Sequence, residues 1–378
     1  MNKEIIVIGG NHHNTLAVLR SLGEKGVKSL LIVVSEESNP YVSYSKYIMK
    51  AMIIKDINDI SKAMYSIHVS QEKAIVIACS DSIASYLDDN YSCLAKDFIL
   101  PGSSVQGKIT RFMNKNTMLE EAVKSGLNIP KSWVITSSSR NVEDIVYPCI
   151  VKPLISKNGT KSDITICENR KELEKYLEFC NCNELQVQEY ISKDMEFQLI
   201  GCSLDSGNDV IIPGVSIILR QPENTNTGFL KYIPIREFLY DKDACVKFLK
   251  HIGYSGLFSL EFIRDKNGVD FFMEINFRND GNSICVTASG MNLPYIWYLY
   301  NSGQSYSKEL TYESMKEVIV MPEFEDFANV KNGNISLFKW LLDVKNTDRF
   351  MEFSKYDQKP FWKELLRLGK SKIFSFYK

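Results

Sequence analysis

The chain has 378 residues, 45 Lys and Arg against 46 Asp and Glu, and 44% hydrophobic residues. That length supports two or three domains with cores of their own, and the balanced charge gives no electrostatic reason to expect a nucleic-acid partner. Its nine cysteines are scattered, mostly in apolar runs such as Ile77-Ala78-Cys79, as small buried hydrophobes are in a reducing compartment.

Cys180 and Cys182, the one close pair, have the wrong spacing for a zinc knuckle. No run of 18 residues is uniformly apolar, and Met1-Asn2-Lys3-Glu4 leads into a strand pattern without signal-peptide character. A cytoplasmic location is expected.

Residues 4 to 100 alternate strand-like and helix-like segments. Ile5–Ile8 reads as a buried strand, Gly9 to Asn14 as a tight loop, Thr15 to Lys25 as a helix and Leu30–Val34 as the next strand. Ile53-Ile54 and Ala74–Ala78 continue the series, which predicts an α/β domain with an open, mostly parallel sheet over residues 1–104. Gly9-Gly10 lacks the three-glycine dinucleotide spacing, so no NAD site is expected. A helix N-terminus after a glycine turn can hold a substrate anion. His12 and His13 could contribute there, with ordinary loop histidines as the simpler reading.

Pro101-Gly102-Ser103-Ser104 punctuates the chain before a helical stretch from about Val105 to Ser125. From Pro148 the pattern becomes strand-rich, with Ile150–Leu154, Ile164–Cys167, Leu185–Ile191, Glu196–Ser203 and Val210–Leu219 interleaved with helices at Arg170–Phe179 and Lys242–Ile252. The division expected is 1–104, 105–187, 188–321 and a C-terminal extension, 322–378. The extension ends in the basic amphipathic stretch Lys359–Lys372, which either packs as a C-terminal helix or touches an anionic membrane surface.

Phe258–Asn279 reads as two alternating strands joined by Asn267-Gly268, a strong hairpin signal. With those two as the loop, Lys266 pairs with Val269, Glu261 faces Glu274 and Ser259 faces Asn276. Glu261, Glu274 and Asn276 then share one face, while Leu260, Phe262, Met273 and Ile275 share the other. Facing carboxylates repel unless a cation lies between them, and hard oxygen ligands suit Mg²⁺ bridging phosphates. A solvated polar strand face is the competing reading.

Five segments in order carry a resemblance: Met113–Met118 with Lys115; Ile150–Pro153 with Lys152; Ser156–Ser162 with Lys157 and Gly159; Gln188–Ile191 followed by Glu196; and the hairpin with Glu261 and the Glu-x-Asn-x-Arg run Glu274, Asn276, Arg278. Together they resemble the ATP-grasp superfamily of carboxylate–amine and carboxylate–thiol ligases over roughly residues 105 to 305. The resemblance implies an ATP-grasp module of two lobes, α+β, behind the α/β domain. It implies ATP and two Mg²⁺ ions, with Mn²⁺ able to substitute. Lys115 and Lys152 would contact phosphates, and the loop with Lys157 and Gly159 would close over the triphosphate. Glu189, Tyr190 and Ile191 would flank the adenine, and Glu196 would hold the ribose. Glu261, Glu274 and Asn276 would bind the metal ions, with Arg278 and Lys152 catalytic. Phe277 replaces the proline usual after the asparagine, and the loop is poorer in glycine than the family's.

The activity implied is ATP-dependent amide formation between a carboxylate and an amine through an acyl phosphate. Arg220, Arg236 and Asp280 are candidate substrate contacts, a structural ion pair being an equal reading for each arginine. The chain is similar to D-aspartate ligase-type enzymes of cell-envelope and polysaccharide precursor synthesis, and its module to that of carbamoyl phosphate synthetase. A membrane-attached precursor and a homodimer are compatible with this shape, with the chain cytoplasmic and peripheral at the inner face of the membrane. The alternatives are a bicarbonate-activating enzyme, although the added domains of biotin carboxylase are not expected here, and a non-catalytic nucleotide-binding regulatory module.

Overall fold

The structure is a computed structural model, and it describes residues 3–136, 143–153, 165–179, 184–222 and 227–375. Ile48–Ile54, Ser29–Val34, Ile5–Gly9, Ala74–Ala78 and Phe98–Ile99 lie side by side in that order, all parallel. The central strands are apolar throughout because both faces are covered. Ile5, Val7, Leu31 and Val33 pack on helix His13–Gly23. Ile6, Ile8, Leu30 and Ile32 pack instead on Ile60–Ile67 and Asp81–Asp89. This is the open parallel sheet expected from the alternation.

Ser132–Thr136, Glu184–Glu189, Cys149–Pro153 and Thr165–Cys167 form a small antiparallel sheet. Leu173 and Leu177 of helix Arg170–Phe179 close its core. The large sheet runs Asp270–Asn276, Gly256–Asp265, Lys193–Leu204, Gly214–Arg220, Phe229–Pro234, Val318–Met321 and Arg349–Phe350, with Asp209–Ile211 also pairing to Lys193–Leu204. Residues beyond 321 are woven into this body. Arg349–Phe350 pairs in parallel with Val318–Met321, and buried Arg20 of the first domain donates to Asp357, Met351 O and Glu352 O.

Two local expectations are corrected. The helix expected over 105–125 is broken into Lys108–Phe112 and Lys115–Lys124. Asn114 between them accepts from Asn116 N (3.0 Å) and Thr117 N (3.2 Å), so its side chain caps the second helix and sets Lys115 as its first residue.

In the hairpin, Glu261 does face Glu274 and Ser259 faces Asn276, but the turn is longer than the two residues expected. Asp265 N donates to Val269 O (3.0 Å), and Asp265 Oδ1 accepts from Asn267 N and Val269 N. Gly268 supplies the left-handed residue at φ +82°. A bulge at Met273, between the pairs Glu261–Glu274 and Phe262–Phe272, restores the register. The two offsets cancel, and the buried residue beside Ile275 is therefore Phe272, while Met273 turns toward the polar face.

The C-terminal helix Lys359–Ser375 packs on Tyr41–Tyr44, with Pro360 and Glu364 inward and Trp362, Leu365 and Leu366 exposed. No helix among the described residues is long and apolar enough to cross a membrane.

Candidate active site

A cleft of about 700 Å³ separates the ends of the parallel strands from the face of the large sheet. The first domain contributes Gly10, Asn14 and Asp81, and the large sheet contributes Glu196, Gln198, Glu261, Glu274 and Asn276. Lys115, Lys152, Arg278 and Asp280 complete its polar wall.

Alternation along the strands puts these polar groups on one surface. Glu261 Oε1 accepts from Gln198 Nε2 and Asn276 Nδ2, both at 3.0 Å. Arg278 fills the gap behind them: Nη2 donates to Asn276 Oδ1 (3.0 Å), Nη1 to Asp280 Oδ2 (3.0 Å), and Nε lies 3.2 Å from Asp81 Oδ1. Burial works against its charge, but Asp81 and Asp280 together hold the guanidinium firmly protonated. Asp280 is itself anchored by Ser259 Oγ (2.9 Å).

Two electrostatic features mark the cleft. Burial, then the facing Glu274 and Asp280, push the Glu261 carboxyl well above the ordinary range, with Arg278 opposing. Opposite it, burial and then the neighbouring Lys115 push the Lys152 ammonium down to about 7. Lys152 Nζ donates to Gln188 Oε1 (2.8 Å), and Lys115 Nζ lies 3.9 Å from Glu274. Lys115 faces Glu274 across the cleft, so the lysines and acids balance each other only in part. A divalent cation carrying phosphates would satisfy both, so Glu261, Glu274 and Asn276 fit Mg²⁺ as a donor set.

The other expected residues are placed as follows. Glu196 lines the cleft while pairing with Lys193 (2.9 Å). Glu189, Tyr190 and Ile191 are not among the lining residues: Glu189 and Lys131 bond to each other, Tyr190 N donates to Pro148 O, and Ile191 is nearly buried. They form the crossing from the small sheet to the large one.

Arg220 and Arg236 do not line the cleft either. Arg220 forks onto Asp326 (2.9 and 2.7 Å) and reaches Asp343 (2.8 Å), while Arg236 donates to the carbonyls of Tyr312 and Met315. Arg220 thus braces residues 326 and 343, and Arg236 the segment 312–315. Lys157 and Gly159 lie outside the described residues.

Gln198, Asn14 and Asp81 were not anticipated. Gln198 could have been found, since Glu196 and Gln198 alternate with buried Phe197 and Leu199 along one strand. Asn14 and Asp81 reach the cleft through tertiary packing alone. Beside them His13 is buried, and burial with the adjacent His12 pushes its pKa down to about 3. Its imidazole is therefore neutral.

The chain has the ATP-grasp fold. No family model matches the sequence. Among solved structures, that of N5-carboxyaminoimidazole synthetase from Staphylococcus aureus has a TM-score of 0.65 at 19% identity, covering 88% of each chain. L-amino acid ligase from Bacillus licheniformis has a TM-score of 0.60 at 16% identity, covering 82% of this chain and 75% of that one. A curated relative, formate-dependent phosphoribosylglycinamide formyltransferase of Bacteroides fragilis, is 26% identical over 192 residues, 48% of this chain and 49% of that protein. The chain thus spans about half the length of that relative, and less of two other curated relatives.

Proposed function

We propose that the chain is an ATP-dependent ligase that joins a carboxylate to an amine. The observation that carries this is the meeting of Lys115, Lys152 and Arg278 with Glu261, Glu274 and Asn276 in one cleft. Lys115 and Lys152 neutralise and orient the triphosphate, and Glu261, Glu274 and Asn276 hold Mg²⁺. When bound, Mg²⁺ supplies charge neutralisation of the phosphates. Phosphoryl transfer needs positioning and electrostatic stabilisation more than covalent help.

The substrate carboxylate oxygen bonds to the γ-phosphorus as the bond to the β-bridging oxygen breaks, giving an acyl phosphate and ADP. Arg278 lines the cleft between Asp280, Asn276 and Asp81 and would bring its positive charge near the acyl-phosphate oxygens. The amine nitrogen then attacks the acyl carbon, phosphate leaves, and the nitrogen loses a proton. The strand crossing at Glu189–Ile191 would flank the adenine and Glu196 would reach the ribose. Asp280 would face the acceptor end.

Amino-acid ligation in cell-envelope or polysaccharide precursor synthesis is the narrower reading. Exposed Trp362, Leu365 and Leu366, beside Lys363 and Arg367, support a membrane-attached precursor as one substrate. ADP release measured with pools of amino acids and acidic sugars tests the proposal. Turnover that needs both an acid and an amine is expected. Turnover driven by bicarbonate would replace the ligase reading, and nucleotide binding without turnover would leave a regulatory module. The same assay with substrates displayed on phosphatidylglycerol vesicles should be faster than with soluble ones; equal rates contradict the membrane reading.

A further inference from the structure

Just past Gly10, which lines the cleft, two imidazoles and a carboxylate converge. His12 Nε2 and His13 Nδ1 lie 3.7 and 3.6 Å from the same atom, Glu325 Oε1, and the three donor atoms lie within 4.8 Å of one another. The rings sit 3.8 Å apart at a 41° tilt.

A second observation comes from Glu352. Its side chain is 4% exposed, Oε1 lies 3.3 Å from His13 Nδ1, and a side-chain hydrogen bond joins it to Glu323. Two buried carboxyls side by side share a proton unless a cation lets both ionise. Glu323 lies close by, and its oxygens are taken up by the backbone N–H groups of Met351, Glu352 and Phe353. The titratable groups around the point are Glu325, Glu352, Glu323 and Asp280 with two imidazoles, and burial pushes the Glu352 carboxyl up to about 7.

We propose that His12, His13 and Glu325, backed by Glu352, bind one divalent d-block cation of the Zn²⁺ or Co²⁺ class, at a site separate from the Mg²⁺ ligands on the hairpin. Imidazole nitrogens with carboxylate oxygens select such ions over Mg²⁺. Nitrogen–oxygen separations of 3.6 to 3.7 Å are a few tenths of an ångström longer than the edge, about 3.4 Å, of a tetrahedral shell with bonds of about 2.1 Å.

The outer contacts agree at one histidine and shift at the other. His13 Nε2 lies 3.2 Å from Thr227 Oγ1, so it can donate there while Nδ1 binds metal. His12 Nδ1 accepts from Asn14 N at 3.2 Å. Coordination at its Nε2 puts the proton on Nδ1 and gives up that long cap. The bound ion would tie the first-domain helix to residues 325 and 352, beside Thr227 and Gly281 at the acceptor end of the cleft.

The test titrates Co²⁺ into the chelator-treated full chain in excess Mg²⁺, followed by visible absorption, with Zn²⁺ stoichiometry from equilibrium dialysis. One ion per chain is expected, with ligand-field bands that excess Zn²⁺ abolishes. His12→Ala and Glu325→Gln, both partly exposed, should weaken Co²⁺ by about a hundredfold or more while keeping the far-UV circular dichroism of the parent. Glu274→Gln should retain the bands. Absence of stoichiometric Co²⁺ in excess Mg²⁺, or bands that survive in both His12→Ala and Glu325→Gln, would overturn the site. Neither result bears on ADP release, which tests the hairpin ligands instead.

Discussion

Glu274→Gln should reduce ADP release by about a thousandfold or more, the scale of removing one preorganised charge-stabilising group from an active site, without loosening the fold. The substitution keeps shape and removes one negative charge from the pair that faces across the hairpin. Glu261 is buried, and its carboxyl is pushed up by burial and then by Glu274. A carboxyl whose folded pKa lies above its unfolded value costs stability at neutral pH, and the cost fades as pH falls from the folded pKa to the unfolded one, below which it is gone. Removing the Glu274 charge relieves part of it, so the variant should be as stable as the parent at pH 7, or more stable by up to about 1 kcal/mol. Activity and stability therefore move in opposite directions, which separates a ligand role from a structural one. A coupled ADP assay and a urea titration read the two. Turnover near the parent rate would remove the hairpin from the chemistry.

The largest stability effect should come from Arg20→Ala, at about 3–5 kcal/mol. Arg20 is 1% exposed, and its guanidinium donates to Asp357 Oδ2 (3.2 Å), Met351 O (3.0 Å), Glu352 O (2.8 Å) and Asp357 O (2.9 Å). Removal strands Asp357, which also receives Ser45 Oγ (2.8 Å) and Lys46 N (2.9 Å), as a buried charge without its cation. Native stabilities are commonly 5–15 kcal/mol, so this loss is a large share of the total. Arg20→Lys should recover little, because a point charge cannot serve four acceptors arranged around a plane. Adding Asp357→Asn to Arg20→Ala should cost less than the sum of the two single changes, since both break one network. The shift in urea midpoint measures this, and a change below about 1 kcal/mol would show that residues 351–357 hold their place without Arg20.

Much of the fold was legible because the strands obey simple periods. Ile5–Ile8 and Ala74–Ala78 are apolar on both faces, as a parallel sheet covered by helices requires, and Glu261, Glu274 and Asn276 share a face through strict alternation. The hairpin also shows the limit of that reasoning. Asn267-Gly268 signals a turn but not its length, and the bulge at Met273 restores the register only by leaving Phe272 in the core. Arg220 marks where sequence was silent: a cation at a strand end does not reveal that Asp326 and Asp343, more than a hundred residues away, will claim it. Likewise the convergence of Glu325 and Glu352 on the two histidines follows from the return of the chain beside its first helix. No spacing encodes it.

A crystal structure of the chain with Mg²⁺ and a non-hydrolysable ATP analogue tests the central claim most directly. It should show the triphosphate within hydrogen-bond reach of Lys115 and Lys152, with metal held by Glu261 and Glu274. Nucleotide bound elsewhere, or a cleft that stays empty at saturating analogue, would contradict it.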